Sequence, residues 1–179
     1  MGKIISSNKG KYSEYGLIDG NKELMFTPDD TAKIMMDWIL PQIDKNDTIL
    51  EPFKGDGALY DLIPNNKSYC EIDDGLDFLT YTGKTDWAIS NPPFRMLKDG
   101  EPINAFILII NRLMDSCNKG FFLLINHKLW SSLTVKRLRD WGVNDWAISK
   151  IKILEVKKWY GRYYLVKFEK NGDSLVDYA

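Results

Sequence analysis

The sequence predicts an α/β fold with a mostly parallel sheet, and three segments carry this prediction. A short apolar strand at residues 48–51 runs into the loop Glu-Pro-Phe-Lys-Gly-Asp-Gly, residues 51–57, and then into a helical stretch. A second strand at residues 68–73 ends in acidic residues, and a third at residues 86–90 runs into Asn-Pro-Pro-Phe. In open α/β sheets, a glycine loop at the carboxyl end of a strand is where a nucleotide-like ligand lies.

The other elements follow in chain order. Residues 1–24, rich in Ser, Gly, Lys and Tyr, are expected to form a flexible arm, and residues 25–179 a single domain. A helix beginning near Asp29 has apolar residues at helical spacing on one face: Ala32, Met35, Met36 and Ile39. Further along the chain we expect a helix at residues 58–63, a polar loop at 95–102, a helix at 103–117, a buried strand at 119–126, a helix at 131–141, and an antiparallel hairpin at 146–156 and 162–169.

The most informative motif is the tetrapeptide Asn91, Pro92, Pro93 and Phe94, here called the proline lip. Two prolines end a strand ladder because neither has an N–H and both fix φ. The lip offers the Asn91 amide oxygen, the Pro92 carbonyl and the Phe94 ring, which together suit a planar group with an exocyclic NH2. The alternative is that the prolines only stop an edge strand and that Phe94 belongs to the core.

The sequence of the glycine loop indicates which classes of nucleotide-like ligand it suits. It lacks the third glycine of the dinucleotide fingerprint and has no Gly-Lys-Ser/Thr, which disfavours a nicotinamide or a phosphate-loop site. Glu71 follows about twenty residues later, a spacing that suits a carboxylate accepting hydrogen bonds from ribose hydroxyls. Asp77 and Phe78 come next and could hold an amino group and the face of an adenine. Taken singly, such acids are usually solvated loop groups, but their order after the glycine loop favours ligand contacts.

In this order, the motifs resemble those of the S-adenosylmethionine-dependent amino-methyltransferases, especially the N6-adenine DNA methyltransferases. The resemblance covers residues 26–94 and includes Phe-Thr-Pro before the first helix. It implies a Rossmann-like class I methyltransferase sheet, S-adenosylmethionine as cofactor, and catalysis by the four residues of the proline lip. The implied cofactor contacts are Thr27, Pro28, Glu51, Pro52, Phe53, Gly55, Asp56, Gly57, Glu71, Ile72, Asp77, Phe78 and Asn91.

Two departures from the family pattern have consequences. Only residues 72–76 separate Glu71 from Asp77, where the family has a helix and a strand, so we expect one edge strand and its helix fewer than usual. Nothing of domain size remains after the core for reading bases. Target recognition would then come from a partner chain or from self-association, or specificity would be loose.

The charge is unevenly distributed along the chain. Residues 1–118 carry 12 Lys and Arg against 19 Asp and Glu, whereas residues 119–170 carry 12 against 4. This asymmetry is typical of a polyanion-binding protein, although single charge runs are often only solvated faces and the pI of about 5.9 disfavours tight non-specific binding. The candidate nucleic-acid contacts are Lys136, Arg137, Arg139, Lys150, Lys152, Lys157, Lys158 and Arg162, with Trp130 as a candidate for stacking on a flipped base.

Composition indicates one compact domain in a reducing compartment. At 179 residues with 44% hydrophobic content, the chain can bury a core without disulfides. Cys70 and Cys117 lack metal-ligand spacing, so we expect no metal site and a cytoplasmic location. The longest apolar stretch is too short to cross a membrane, and the beginning of the chain lacks the apolar region of a signal peptide.

The sequence therefore predicts methyl transfer from S-adenosylmethionine to the N6 amine of adenine in DNA. The same motif would serve cytosine N4, adenine N6 in RNA, or a protein glutamine amide, because all present a planar NH2. A second class of function is a non-catalytic subunit that supplies a nucleic-acid surface to a partner; the intact proline lip argues against it.

Overall fold

The computed structural model describes residues 3–4, 15–16, 18–19, 26–98, 101–156, 159 and 161–177. Three two-residue strands lie within the predicted arm: β1 (Lys3–Ile4), β2 (Tyr15–Gly16) and β3 (Ile18–Asp19). Strand β1 pairs with β3. Most of residues 1–24 lies outside the described residues, so the boundary between arm and domain stays a prediction.

The rest of the chain alternates strands with helices. The elements are α1 (Asp29–Ile39), β4 (Ile49–Glu51), β5 (Lys67–Tyr69), β6 (Thr85–Ser90), β7 (Arg95–Lys98), β8 (Glu101–Asn104), α2 (Phe106–Ser116), β9 (Cys117–Asn126), α3 (His127–Trp130), α4 (Val135–Gly142), β10 (Trp146–Leu154) and β11 (Tyr163–Lys170). Six strands form the main sheet in the order β10-β11-β9-β6-β4-β5. The four from β9 to β5 are parallel, and β10 and β11 form an antiparallel hairpin.

This architecture confirms the predicted fold class. The parallel sheet, the terminal hairpin and the burial of β9 all agree with the sequence analysis. In the part of the chain that the structure describes, the sheet ends at β5, which agrees with the expected loss of an edge strand.

Apolar side chains cover both faces of the sheet. On one face, α1 packs its predicted apolar residues against alternate residues of β9 such as Phe122 and Leu124. On the other, α2 and Trp141 of α4 pack against Phe121 and Leu123. Because successive strand residues point to opposite faces, the continuous apolar run of β9 serves both clusters at once.

Four local predictions were wrong. The strand predicted at 68–73 ends at Tyr69, because Glu71 accepts from the Asp73 N–H and begins a 3-10 turn at Ile72–Asp74. Residues 58–63 form only a 3-10 turn at Tyr60–Leu62, because the preceding glycine loop and Pro64 leave too few residues for an α-helix. The predicted loop at 95–102 is mostly strand: β7 pairs with β8, and β2 adds to β7. This pairing satisfies backbone groups independently of the polar side chains that suggested a loop. The predicted helix at 131–141 begins only at Val135, because Thr134 caps α4 by accepting from the Arg137 N–H, and residues 131–134 form a turn after α3.

None of the helices within the described residues is both long and apolar enough to span a membrane.

Candidate functional site

A cavity of about 340 Å³ lies at the carboxyl edge of β4, β5 and β6. The four residues of the proline lip line it, and so do all of the predicted cofactor contacts except Pro28 and Gly57. Residues from four separate parts of the chain thus meet there: the segment before α1, the glycine loop, the region after β5, and the lip. The carboxyl ends of neighbouring parallel strands share one edge, and this geometry brings the motifs together.

The glycine loop needs glycine at both positions. Gly55 has φ +56° and Gly57 φ +95°, in the left-handed region that β-branched residues avoid. A Cβ built on Gly55 would lie 3.1 Å from Cδ1 of Phe26, whose ring also lines the cavity. The Gly57 N–H donates to the Lys54 carbonyl at 3.0 Å and closes the turn. The loop is therefore a tight turn that brings backbone close to the cavity.

Glu71, the predicted ribose-binding acid, is attached to this loop. Its Oε2 accepts a hydrogen bond from the Gly55 N–H at 2.7 Å. Its Oε1 accepts a longer one, at 3.4 Å, from the Asp73 N–H. The side chain is therefore held at the cavity wall by backbone donors, and none of the ion pairs among the described residues includes it.

Asp77 and Phe78 make structural contacts within the protein that the sequence did not indicate. Asp77 is buried, and its Oδ1 accepts from the Leu79 N–H at 2.8 Å, which caps the 3-10 turn Phe78–Thr80. Phe78 is 1% exposed, and its ring centroid lies 5.4 Å from that of Phe53, edge to face. Both residues line the cavity, but as parts of its wall.

Glu51 lies at the end of β4, and its carboxyl group is buried: only 1% of the residue's surface is exposed. Its Oε1 accepts from the Ser90 hydroxyl at 2.5 Å and from the Phe53 N–H at 3.4 Å. Its Oε2 has no hydrogen-bond partner among the described residues. Burial raises the pKa of Glu51 to about 8, assisted by the charge of Glu71 and opposed by the two hydrogen bonds. The carboxyl is thus protonated near neutral pH, and an unpaired oxygen belongs to the cavity wall.

The raised pKa of Glu51 predicts a pH-dependent stability. The folded chain holds this proton more tightly than the unfolded chain, in which the pKa is 4.5. The stability that the group contributes is fully present below about pH 4.5 and is lost as the pH rises through about 8. Glu51→Gln, which stays neutral, should lack this decline. Urea denaturation of wild type and Glu51→Gln at about pH 6 and about pH 9 measures the free energy of unfolding. An equal decrease in both proteins between these pH values would contradict the prediction.

The described residues that line the cavity are strongly acidic. They include six acids and a single cation: Glu51, Asp56, Glu71, Asp73, Asp74, Asp77 and Lys54. The Lys54 ammonium lies 3.9 Å from Asp74 Oδ2 and 4.2 Å from the centroid of the Tyr69 ring. Such a cavity favours a ligand that carries positive charge and hydroxyl donors.

Solved structures share this fold, although no protein-family model and no curated protein sequence matches the chain. A Listeria monocytogenes protein assigned to the class I S-adenosylmethionine-dependent methyltransferases superposes with TM-score 0.63 at 19% identity, covering 85% of this chain and 62% of that one. A Pyrococcus horikoshii protein assigned as an RNA methyltransferase gives 0.60 at 12%, covering 80% and 86%. Magnesium protoporphyrin IX methyltransferase from Synechocystis, crystallised with S-adenosylmethionine, gives 0.57 at 11%, covering 79% of each chain.

The chain therefore has the class I methyltransferase fold. Two of these proteins are named for different substrates, RNA and magnesium protoporphyrin IX, and identities of 11–19% show the fold alone.

In this class I methyltransferase fold, the proline lip directly follows β6. Asn91 and Pro93 are half-buried, and Pro92 is buried. Phe94 packs against the apolar clusters of both sheet faces, so it lies at the end of the sheet where the two faces meet. Its ring also lines the cavity, together with the buried Met96 of β7. Phe94 is thus both a core residue and a cavity residue, which the sequence analysis had treated as alternatives.

The candidate nucleic-acid contacts do not lie on one surface. Helix α4 packs on the sheet face that holds Phe168. Lys167 and Leu165 point to the opposite face, because they lie one and three residues before Phe168 in β11. Lys150 and Lys152 pair with these two residues and therefore lie on that opposite face. On α4, Lys136 pairs with Asp140, and Arg137 donates to the Ser132 carbonyl; the exposed Arg139 belongs to the same helix. Arg162 is exposed just before β11. Lys157 and Lys158 lie outside the described residues.

Trp130 does not line the cavity. Its ring stacks on Tyr164, with centroids 5.2 Å apart and an interplanar angle of 28°. It is half-buried at the end of α3. Its role as a stacking partner for a flipped base stays a prediction.

Several residues in or beside the cavity were given no role of their own by the sequence analysis. Ser90 binds Glu51, Met96 closes the wall beside the lip, and Phe26 covers Gly55. Ser90 and Phe26 are adjacent in sequence to predicted residues, and that adjacency was the available signal. Among the described residues, no group of three His, Cys, Asp or Glu is arranged to hold a metal ion.

Proposed function

We propose that this chain is an S-adenosylmethionine-dependent methyltransferase that acts on the exocyclic N6 amine of adenine in DNA. The observation that carries the proposal is the meeting of the glycine loop, Glu71 and the proline lip around one cavity. A cofactor on the loop and an amine on the lip would be neighbours there.

The residues present fit S-adenosylmethionine. Glu71, held by the Gly55 N–H, suits the ribose hydroxyls, and the wall formed by Ile72, Asp77 and Phe78 suits an adenine ring. A cationic methionine group beside the unpaired Oε2 of Glu51 would favour the ionised carboxyl, and Oε2 could then accept a hydrogen bond from that group. When bound, this cofactor supplies an activated methyl group on a sulfonium.

The proline lip would orient and activate the acceptor. The Asn91 amide oxygen and the Pro92 carbonyl can each accept one hydrogen of an NH2 group, which draws the nitrogen toward tetrahedral character and makes it nucleophilic. Holding the nitrogen in line with the methyl group converts a bimolecular reaction into an effectively unimolecular one, an effect of roughly 7–11 kcal/mol at most. Stacking on Phe94, on the order of 1–3 kcal/mol, would offset part of the cost of extruding a base.

DNA is proposed as the polymer for two reasons. Charge is unevenly distributed along the chain, and the proline lip resembles the catalytic motif of the N6-adenine DNA methyltransferases. Cytosine N4, adenine N6 in RNA and a protein glutamine amide remain the alternatives, since each presents the same planar NH2. Target recognition by a partner chain or a second copy is part of the proposal.

The proposal is tested by calorimetric titration with S-adenosylmethionine, followed by incubation with methyl-labelled cofactor and nucleic acid. We expect one bound cofactor per chain and label in the polymer. Cofactor binding without transfer to any nucleic acid would favour the non-catalytic subunit. No cofactor binding would overturn the proposal.

Phe94→Ala should weaken capture of the target base and lower turnover, with the larger effect on duplex DNA. The reason is that the ring stacks only on a base already extruded, which is least costly in a single strand. Phe94→Trp should retain partial activity because it keeps an aromatic face. Steady-state kinetics on duplex and single strands measure this, with melting temperatures as a check because Phe94 also packs in both clusters. Equal losses on both substrates would contradict it.

A further inference from the structure

The carboxyl edge of the sheet is divided into two halves of opposite character. Over β4, β5 and β6 lies the acidic cavity. Over β9, β11 and β10 lie the beginning of α3 and the described residues of the β10–β11 connection, 155–156, 159 and 161–162. Here α3 begins with His127 and Lys128, and Arg162 directly precedes β11.

Strand register places this second half directly beside the proline lip. Ser90, the last residue of β6, is level with Leu123 of β9, so the lip begins beside the last residues of β9. Asn126 at the end of β9 pairs with Tyr163, which in turn pairs with Leu154. His127, Glu155 and Arg162, the neighbours of these three paired residues at the ends of their strands, therefore lie at the same edge of the sheet.

Side-chain contacts agree with the register. A Cβ on Gly161 would lie 3.6 Å from Nδ1 of His127, so the β10–β11 connection touches the first residue of α3. Lys128 and Arg162 are both exposed, and neither belongs to an ion pair given by the described residues. The two cations flank this contact and are open to a polyanion.

Aromatic pairs stand on both sides of this edge. Trp159 lies against Tyr163 with ring centroids 5.0 Å apart, and Trp130 stacks on Tyr164. Tyr163 and Tyr164 are successive residues of β11, so they point to opposite faces of the sheet. The edge is thus bordered on each face by a half-buried tryptophan packed on a tyrosine, and aromatic side chains beside cations are typical of surfaces that follow a nucleic-acid strand.

We infer that the strand carrying the target base runs across this edge, from the proline lip over His127 to Arg162, with Lys128 and Arg162 contacting its phosphates. The surface made by His127, Lys128, Trp159, Gly161 and Arg162 is here called the phosphate edge. This inference rests on the proposed function, because the occupant is the polynucleotide substrate. Helix α4 lies outside it, since Trp141 packs on Phe168, five residues along β11 from Tyr163.

The test is the double variant Lys128→Glu/Arg162→Glu. Both side chains are exposed, so the fold should be kept, and unchanged S-adenosylmethionine affinity in calorimetry checks this. We expect the Kd for duplex DNA to rise on the order of tenfold or more. The slope of log K against log salt should fall by about 0.9 for each lost phosphate contact. The KM for a short oligonucleotide with few phosphates should change far less than the KM for a long duplex.

The matched control is Lys45→Glu/Lys170→Glu. It reverses two exposed charges that lie away from the phosphate edge: Lys45 precedes β4 at the amino end of the parallel strands, and Lys170 pairs with Trp146 at the same end of the sheet. The control should keep near wild-type affinity and salt slope. Equal losses in both variants, or no loss in the first, would overturn the phosphate edge while leaving methyl transfer intact. A wild-type chain that binds and methylates no nucleic acid would overturn the proposed function and the inference with it.

Discussion

Replacing Asn91 with alanine is expected to lower the rate of methyl transfer on the order of 10²–10³-fold while cofactor and nucleic-acid binding survive. The amide oxygen is proposed to accept a hydrogen bond that strengthens as the target nitrogen becomes tetrahedral. The change leaves Pro92 and Pro93, and hence the shape of the lip, in place. Losing an interaction made mainly in the transition state lowers turnover more than binding.

Single-turnover kinetics at saturating cofactor would isolate the chemical step for Asn91→Ala. Asn66→Ala is the matched control, since Asn66 is exposed and does not line the cavity. The control should react like wild type. If Asn91→Ala also showed near wild-type chemistry, the role assigned to the lip would be wrong.

Gly55→Val and Gly57→Val should each abolish detectable S-adenosylmethionine binding. Both glycines have positive φ, which a β-branched residue adopts only under strain. The new side chains would also press on neighbours, with Cβ 3.1 Å from Phe26 Cδ1 in the first variant and 3.3 Å from Asp61 Oδ2 in the second. The loop would have to move, and with it the N–H that holds Glu71. Isothermal titration calorimetry measures the loss.

A control variant must show that the loss of cofactor binding comes from damage to the cofactor site and not from backbone strain at a glycine with positive φ. Gly161→Val provides the control, because Gly161 has φ +107° but lies in the β10–β11 connection and does not line the cavity. It should bind the cofactor normally. Near-normal affinity in both loop variants would mean that the cofactor lies elsewhere.

The order of elements and the centre of the sheet were predictable from the sequence, because each rests on a strong local pattern. The apolar run of β9 has no alternation and indicates a strand covered on both faces, and the four apolar residues of α1 have helical spacing. The convergence of the motifs was predictable as well, since parallel strands end at a common edge. Each of these inferences needs only short-range information.

What the sequence left undetermined depends on distant contacts. Strand β7 exists because β8 and the short β2 pair with it, and nothing in its own polar residues indicates that pairing. The raised pKa of Glu51 depends on burial and on Ser90, 39 residues away. The separation of α4 from the phosphate edge follows from strand register, which composition does not reveal.

The most direct test of the account is to identify the methylated product. Wild-type chain would be incubated with labelled S-adenosylmethionine and, separately, duplex DNA, single-stranded DNA and RNA, and the digested nucleosides would be analysed by mass spectrometry. The account predicts N6-methyldeoxyadenosine from DNA, and its absence in a parallel incubation with Asn91→Ala. Methylated cytosine, label confined to RNA, or no methylated nucleoside despite measured cofactor binding would contradict it.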